Sequence, residues 1–235
     1  ISIKMCCILS GEPIEATDGT IKTYQGRQKF QTQMLTAPCA GGCGTCMWCI
    51  GQFVPATCGI TQCLLRRKIL QYDMTKYSCF QGQFNVCCCI KAGSCGEENC
   101  PDFCAFMEGC FCNFAAVSAS RNYTMEKYDL TSDPCDYRLI RINNCLQLLA
   151  CLCSIAAIIE PSLRELANLI NWIADLFYHT VSGCMTAQVS HEIDYQVSIG
   201  NADGAAQQVV VVEAYGDDGH HHKGGHHHHN EKQFR

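Results

Sequence analysis

The sequence has few charged side chains. Asp, Glu, Lys and Arg together make up 17% of its 235 residues, below the roughly 25% that is usual for soluble domains. The formal net charge is −5, whereas proteins that bind nucleic acid commonly carry a basic stripe. We therefore expect no nucleic-acid partner, and we expect a surface that is buried, covered by a partner or adjacent to a membrane.

Familiar catalytic motifs are also missing. The chain contains no GxSxG, HExxH, Walker or dinucleotide-binding pattern. His179 and His191 fall in a segment with helical periodicity, and we interpret them as surface side chains rather than as catalytic bases. The sequence therefore predicts a protein that is not an enzyme.

The first residues include no apolar run of the roughly 7–15 residues that form the core of a secretory signal. We expect a cytoplasmic protein, and we also consider that it attaches to a membrane as a peripheral protein. Cys6 and Cys7 directly follow Met5, and if Met5 is the true start they form an N-terminal pair suited to lipidation. Two acyl chains anchor a protein stably where one is marginal. The alternative is two ordinary thiols on a loose terminus.

What the sequence has in abundance is cysteine, with 22 residues. Such a content normally marks a short secreted protein held by disulfides, and this chain is too long for that class. In a reducing compartment the thiols would serve as metal ligands, as lipid-attachment sites or as small buried apolar groups.

The first cysteine cluster has the pattern C-x3-C-x2-C-x2-C and consists of Cys39, Cys43, Cys46 and Cys49. Two overlapping C-x-x-C units can place thiolates within reach of one zinc ion. The pattern also resembles a reversed iron–sulfur ligand run, although it lacks the usual proline after the last ligand. Alternatively, three of these thiols share one helix face as packing residues, since cysteine is among the most buried residue types.

The second cluster lies in a polar turn and contributes Cys95, Cys100 and Cys104 as predicted zinc ligands, with a fourth from residues 87–89 or from the first cluster. Its spacing is looser than the C-x(2–4)-C pairs of common zinc modules. Disulfides are the alternative for an exported protein.

The tail is rich in histidine, whose neutral imidazole binds zinc, nickel or copper. These candidate ligands are His220, His221, His222, His226, His227, His228 and His229. The alternative is a solvated tail without a fixed structure.

Apolar residues recur at three- and four-residue spacing between residues 162 and 189, which predicts an amphipathic helix. The apolar stripe consists of Leu166, Leu169, Ile170, Ile173, Leu176, Phe177, Val181 and Cys184, and the opposite stripe of Arg164, Asn168, Asn171, Asp175 and His179. Residues 145–159 carry no charge but are fewer than the roughly 18 that a spanning helix needs. We predict that they form a buried helix packed antiparallel on its successor, with membrane insertion as the alternative.

Helical patterns over residues 61–72 and 104–118 complete a mainly α fold. In the first, the apolar side chains are expected to face away from the basic ones; they are Leu64, Leu65, Ile69 and Leu70 against Arg66, Arg67 and Lys68. The predicted organisation is an N-terminal arm (1–36), a cysteine-rich helical domain with a C-terminal antiparallel helical hairpin and long loops (37–199), and a tail rich in Gly, Asp and His (200–235).

Three short segments carry a family resemblance: Thr-Ala-Pro-Cys at 36–39, Cys-Leu-Leu-Arg-Arg at 63–67 and Lys-Ala-Gly-Ser-Cys-Gly at 91–96. They resemble uncharacterised cysteine-rich proteins of plants, algae and protists, over about residues 30–193. More distantly, the chain is similar to the placenta-specific-eight-like group, which includes plant cadmium-resistance proteins. That resemblance implies association with membranes and handling of heavy metals. The Cys-Pro-Cys motif of the group is missing from this chain, so we assign no functional residue from the resemblance.

The sequence therefore predicts a non-enzymatic structural or assembly protein that forms a homo-oligomer and holds structural zinc through its thiolates. Two alternatives stay open. One is a membrane-associated protein that handles heavy metals through its thiols and histidines. The other is an iron–sulfur or redox protein.

Overall fold

A computed structural model of the protein describes residues 8–11, 27–84 and 96–203. This part of the chain is mainly helical, which confirms the predicted fold class. Its α-helices are α1 (Ala37–Ala40), α2 (Cys43–Ile50), α3 (Pro55–Ile69), α4 (Pro101–Phe111), α5 (Asn113–Lys127), α6 (Pro134–Ile159) and α7 (Arg164–Ser198). Two short parallel strands, β1 (Gln28–Lys29) and β2 (Leu130–Thr131), pair with each other.

Proline marks the start of α3, α4 and α6. Proline suits the first turn of a helix because the amide hydrogen that it lacks would have no partner there. Three short 3-10 helices, Met74–Lys76, Cys79–Gly82 and Pro161–Leu163, occur in the connections.

The prediction of a single helix over residues 104–118 is wrong, because the helix is interrupted at Cys112. α4 and α5 meet there at an angle of 119°. The break buries Cys112 and Ala115 in one apolar cluster with Phe80, which comes from the preceding connection. That tertiary contact outweighs the helical pattern of the local sequence, which contains no Pro between residues 104 and 118.

The C-terminal half of α7 forms the centre of the protein. Every residue from 181 to 190 is buried, because α2, α3, α5 and α6 all pack around this segment. Leu9 and Met34, from the N-terminal part of the chain, join Val181 and Met185 in one apolar cluster.

The buried guanidinium of Arg66 is paired with a carboxylate. Arg66 is only 1% exposed and lies 3.3 Å from Glu108, which also accepts hydrogen bonds from the Tyr77 hydroxyl and the Phe80 amide. The expected separation of apolar and basic side chains on α3 is therefore wrong for Arg66 and for Leu64, which is 48% exposed. The burial of Leu65, Ile69 and Leu70 agrees with it. Pairing with a carboxylate offsets much of the cost of removing a guanidinium from water.

Candidate functional site

α6 and the first half of α7 lie side by side and run in opposite directions, joined by the short turn at Pro161–Leu163. Polar side chains connect them. The Gln147 amide donates to the Ala174 carbonyl at 2.9 Å, and the Asn171 amide donates to the Ser154 hydroxyl at 2.9 Å. We call residues 142–177, the part of this helix pair that leads to the turn, the hairpin.

The interior of the hairpin is polar or small. Its buried residues are Asn143, Gln147 and Ala150 on α6 and Ala167 and Ala174 on α7. No large aliphatic side chain is among them. The buried contact between the two helices therefore consists of small side chains and hydrogen bonds rather than of a leucine-rich seam.

The outer surface of the hairpin is apolar. Leu152 is 56% exposed on α6, and Trp172 is 65% exposed on α7. The other large exposed apolar residues are Ile142, Leu148, Leu149, Ile155, Ile158, Ile159, Leu163, Leu166, Leu169, Ile173 and Leu176. A contiguous apolar surface of this kind marks a site that contacts a partner or a membrane.

The prediction of a buried helix at residues 145–159 is therefore wrong. The apolar stripe predicted for α7 changes its environment along the helix. In the first turns, Leu166 and Leu169 face outwards while Asn171 faces α6, whereas Val181 and Cys184 further along are buried. A periodic pattern identifies two faces of a helix, but it does not tell which of them the rest of the chain will cover.

α6 is the one helix among the described residues that is long and apolar enough by itself to cross a membrane. Its most apolar window has a mean hydropathy of 1.9, and only 22% of that window is buried inside the protein. α4 and α5 reach the same standard only when taken together across their bend. The low burial distinguishes α6 from the core helix of a soluble protein, which is mostly buried.

The charged side chains of the hairpin lie around its turn, with one exception. Residues 142–159 contain none, whereas Glu160, Arg164 and Glu165 surround the turn. Between Glu165 and Glu192 the only Asp, Glu, Lys or Arg is Asp175, which is half-buried.

The base of the hairpin is fastened to the helical body. The Asn113 amide, at the start of α5, donates to the Tyr178 hydroxyl at 3.0 Å and to the Gln52 side chain at 2.9 Å. The Phe53 ring lies 6.1 Å from the His179 ring. These contacts hold the hairpin at a fixed place on the loop between α2 and α3.

The predicted zinc ligands that the structure describes do not form one group. Cys39 and Cys43 are exposed, and Cys46 and Cys49 are half-buried. Cys43, Cys46 and Cys49 follow one another along α2, about 4.5 Å apart in helical rise.

In the second cluster, Cys100 is exposed, and Cys104 packs beside Leu70 and Tyr77. Across residues 8–11, 27–84 and 96–203, no three His, Cys, Asp or Glu side chains lie in an arrangement that could hold a metal ion. Cys6, Cys7, Cys95, residues 87–89 and the histidines of the tail lie outside the described residues, so the predictions for them stay predictions.

The structure instead pairs thiols that are far apart in the sequence. Cys49 on α2 contacts Cys184 on α7, and the hydrogen bond from Cys184 lowers the pKa of Cys49 to about 7, against the opposing effect of burial. The same hydrogen bond, together with burial, raises the pKa of Cys184. Burial and the nearby Cys110 raise the pKa of Cys58. No spacing rule in the sequence points to these contacts.

Comparison of the chain with protein-family models, with curated proteins and with solved structures finds no match. The function therefore has to be argued from the side chains and their arrangement.

Proposed function

We propose that this protein is a non-enzymatic, membrane-attached protein whose hairpin inserts into a lipid bilayer and holds the cysteine-rich helical body at the membrane surface. The observation that carries the proposal is the reversed polarity of the hairpin, with polar and small residues inside and large apolar residues outside.

In water this arrangement is unfavourable. Burial of one Leu, Ile or Val side chain stabilises a protein by roughly 1.5–3 kcal/mol, and a helix pair in water gains this energy by turning such residues inwards. In lipid the apolar residues gain nothing by leaving the surface. Helices there associate through small residues and through hydrogen bonds from Ser, Asn and Gln. Gln147, Ser154 and Asn171 occupy these positions in the hairpin.

The dimensions of the hairpin agree with a bilayer. The uncharged run at residues 142–159 has a helical length of about 27 Å, close to the hydrocarbon thickness of about 30 Å. The charged residues around the turn would then lie near the opposite head groups. Asp175 would lie within the hydrocarbon region of the bilayer. It is half-buried, as charged residues in membrane helices commonly are.

Self-association is the second candidate function, and it corresponds to the assembly predicted from the sequence. The outer face of α6 has heptad spacing, with Ile142, Cys145, Leu149, Leu152 and Ile159 among its positions. Leu148, Ile155 and Ile158 widen the apolar face beyond a two-helix seam, and this width favours lipid as the covering material.

Flotation of the purified full chain with neutral phosphatidylcholine vesicles tests the proposal. We expect the protein to float with the vesicles, and Leu152→Lys to lower the bound fraction at least tenfold, since a lysine at the centre of a membrane helix costs about 2.5–3.5 kcal/mol. Leu64→Lys is the matched control, because it places the same charge at an exposed leucine of the body.

The result that contradicts the membrane proposal is a protein that stays unbound in every gradient. If that protein is also an oligomer by light scattering, and if Leu152→Lys dissociates it, the second candidate is supported.

Structural zinc stays a separate proposal that rests on the sequence. Elemental analysis of the purified protein together with a count of free thiols tests it. Stoichiometric zinc would support the thiolate site, whereas metal-free protein with all 22 thiols free would contradict it.

A further inference from the structure

α2 and α7 approach each other closely at Gly183. A Cβ atom at this position would lie 2.8 Å from the Cys49 carbonyl oxygen and 2.9 Å from the Cys49 Sγ, and a side chain there would force the helices apart. Because residue 183 is glycine, the end of α2 rests directly on the backbone of α7. The next residue, Cys184, belongs to the apolar cluster against which Cys49 packs, and its thiol interacts with that of Cys49.

The two thiols differ in their access to solvent. Cys49 is half-buried, whereas Cys184 is buried in the apolar cluster against which Cys49 packs. A thiol that reagents can reach, next to a second thiol that they cannot, is the arrangement of a reactive and a resolving cysteine.

We propose that Cys49 and Cys184 are a redox modification site, at which hydrogen peroxide drives formation of a reversible disulfide between α2 and α7. This inference does not depend on the membrane proposal. Closing the bond requires the two sulfurs to approach each other to a separation of about 2.05 Å.

The reaction has two steps. The Cys49 thiolate attacks one peroxide oxygen, an S–O bond forms as the O–O bond breaks, and the leaving hydroxide takes up a proton to become water. The Cys184 sulfur then attacks the Cys49 sulfur as it loses its proton, an S–S bond forms as the S–O bond breaks, and the leaving hydroxide takes up a proton to become a second water. Together the two sulfurs lose two electrons and the peroxide gains them.

A second thiol pair in the same body provides an internal control. Cys58 on α3 is buried near Cys110, and its Sγ lies 3.5 Å from the carbonyl oxygens of Gln52 and Val54. Its thiol hydrogen is therefore directed at the backbone rather than at a sulfur. Cys58 should react more slowly with peroxide than Cys49 does.

The test uses the full-length protein with less than one equivalent of hydrogen peroxide, followed by differential alkylation, proteolysis and mass spectrometry. We expect a disulfide-linked peptide that joins Cys49 to Cys184, at least fivefold more abundant than any linked peptide with Cys58 or Cys110, and its loss on treatment with dithiothreitol. With Cys184→Ser we expect sulfenic acid at Cys49, captured by a dione reagent. Cys58→Ser should leave the wild-type pattern.

Oxidation spread over other cysteines without the Cys49–Cys184 peptide would overturn the proposal. Protection of Cys49 from alkylation by stoichiometric zinc would overturn it as well. The decisive measurement uses the wild-type chain, so a variant that fails to fold does not remove the test.

Discussion

Gln147 of α6 donates a hydrogen bond from Nε2 to the backbone carbonyl oxygen of Ala174 in α7, at 2.9 Å. The amide lies in the buried interior of the hairpin, while Leu148, the next residue, is exposed. A polar group thus occupies the protected position and an apolar group the exposed one, which is the arrangement that lipid stabilises.

Replacement of Gln147 by leucine tests whether this contact holds the hairpin together. Gln147→Leu removes the hydrogen bond, and we expect the free energy of unfolding to fall by about 0.5–1.5 kcal/mol. Denaturation in detergent micelles, followed by circular dichroism, measures it. The neighbouring Leu148→Ala, which changes an outward residue, should stay within about 0.5 kcal/mol of wild type. A gain in stability for Gln147→Leu would show that the interior prefers apolar packing.

The hairpin also shows what the sequence could predict. The three- and four-residue spacing of apolar residues located most of α7, and the uncharged run at residues 145–159 located the second part of α6. The outward direction of Leu166 and Leu169 could not be predicted. An apolar stripe can be covered equally well by the same chain, by a second chain or by lipid, and the spacing is the same in all three cases.

The candidate thiol site was less predictable still. Local spacing placed Cys49 with Cys46 and Cys43, whereas its sulfur contacts Cys184 on a helix near the other end of the described chain. Gly183 makes that contact possible, and a single glycine inside a helical pattern carries no signal of what approaches it. The buried position of Arg66 was hidden for the same reason, since Glu108 lies 42 residues away.

Asp175 provides a prediction that separates membrane insertion from assembly in water. An ionised aspartate near the centre of a membrane helix costs about 2.5–3.5 kcal/mol, so Asp175→Asn should raise the fraction bound to neutral vesicles at least threefold. Glu98→Gln changes the net charge by the same amount at an exposed position of the body, and it should leave binding unchanged. Equal binding of Asp175→Asn and wild type would argue against insertion to this depth.

The crossing of α3 and α4 depends on two glycines. A Cβ at Gly109 would lie 2.7 Å from the Cα of Gly59, so Gly109→Ala must push the helices apart, and we expect a loss of about 1–3 kcal/mol of stability. Gly44 in α2 is the matched control, because a Cβ there would meet no atom within 4 Å. Gly44→Ala should raise stability by up to about 1 kcal/mol. Urea denaturation of both variants compares them, and similar effects at the two sites would contradict the close crossing.

Tyr128 makes the stability of the body depend on alkaline pH. Burial raises the pKa of its hydroxyl to about 12, and the hydroxyl lies 3.1 Å from the Ala202 carbonyl oxygen. The folded state therefore disfavours tyrosinate, so this contribution to stability is complete below the unfolded pKa of about 10 and is lost as the pH rises from there towards 12.

Urea denaturation at pH 8, 10 and 11 tests this dependence. The free energy of unfolding should decline less with pH for Tyr128→Phe than for wild type. Part of the decline should persist, because burial also raises the pKa of Tyr123. Tyr72→Phe is the control, because it removes an exposed hydroxyl, and its free energy of unfolding should decline with pH as in wild type. An identical decline in Tyr72→Phe and Tyr128→Phe would contradict the assignment to Tyr128.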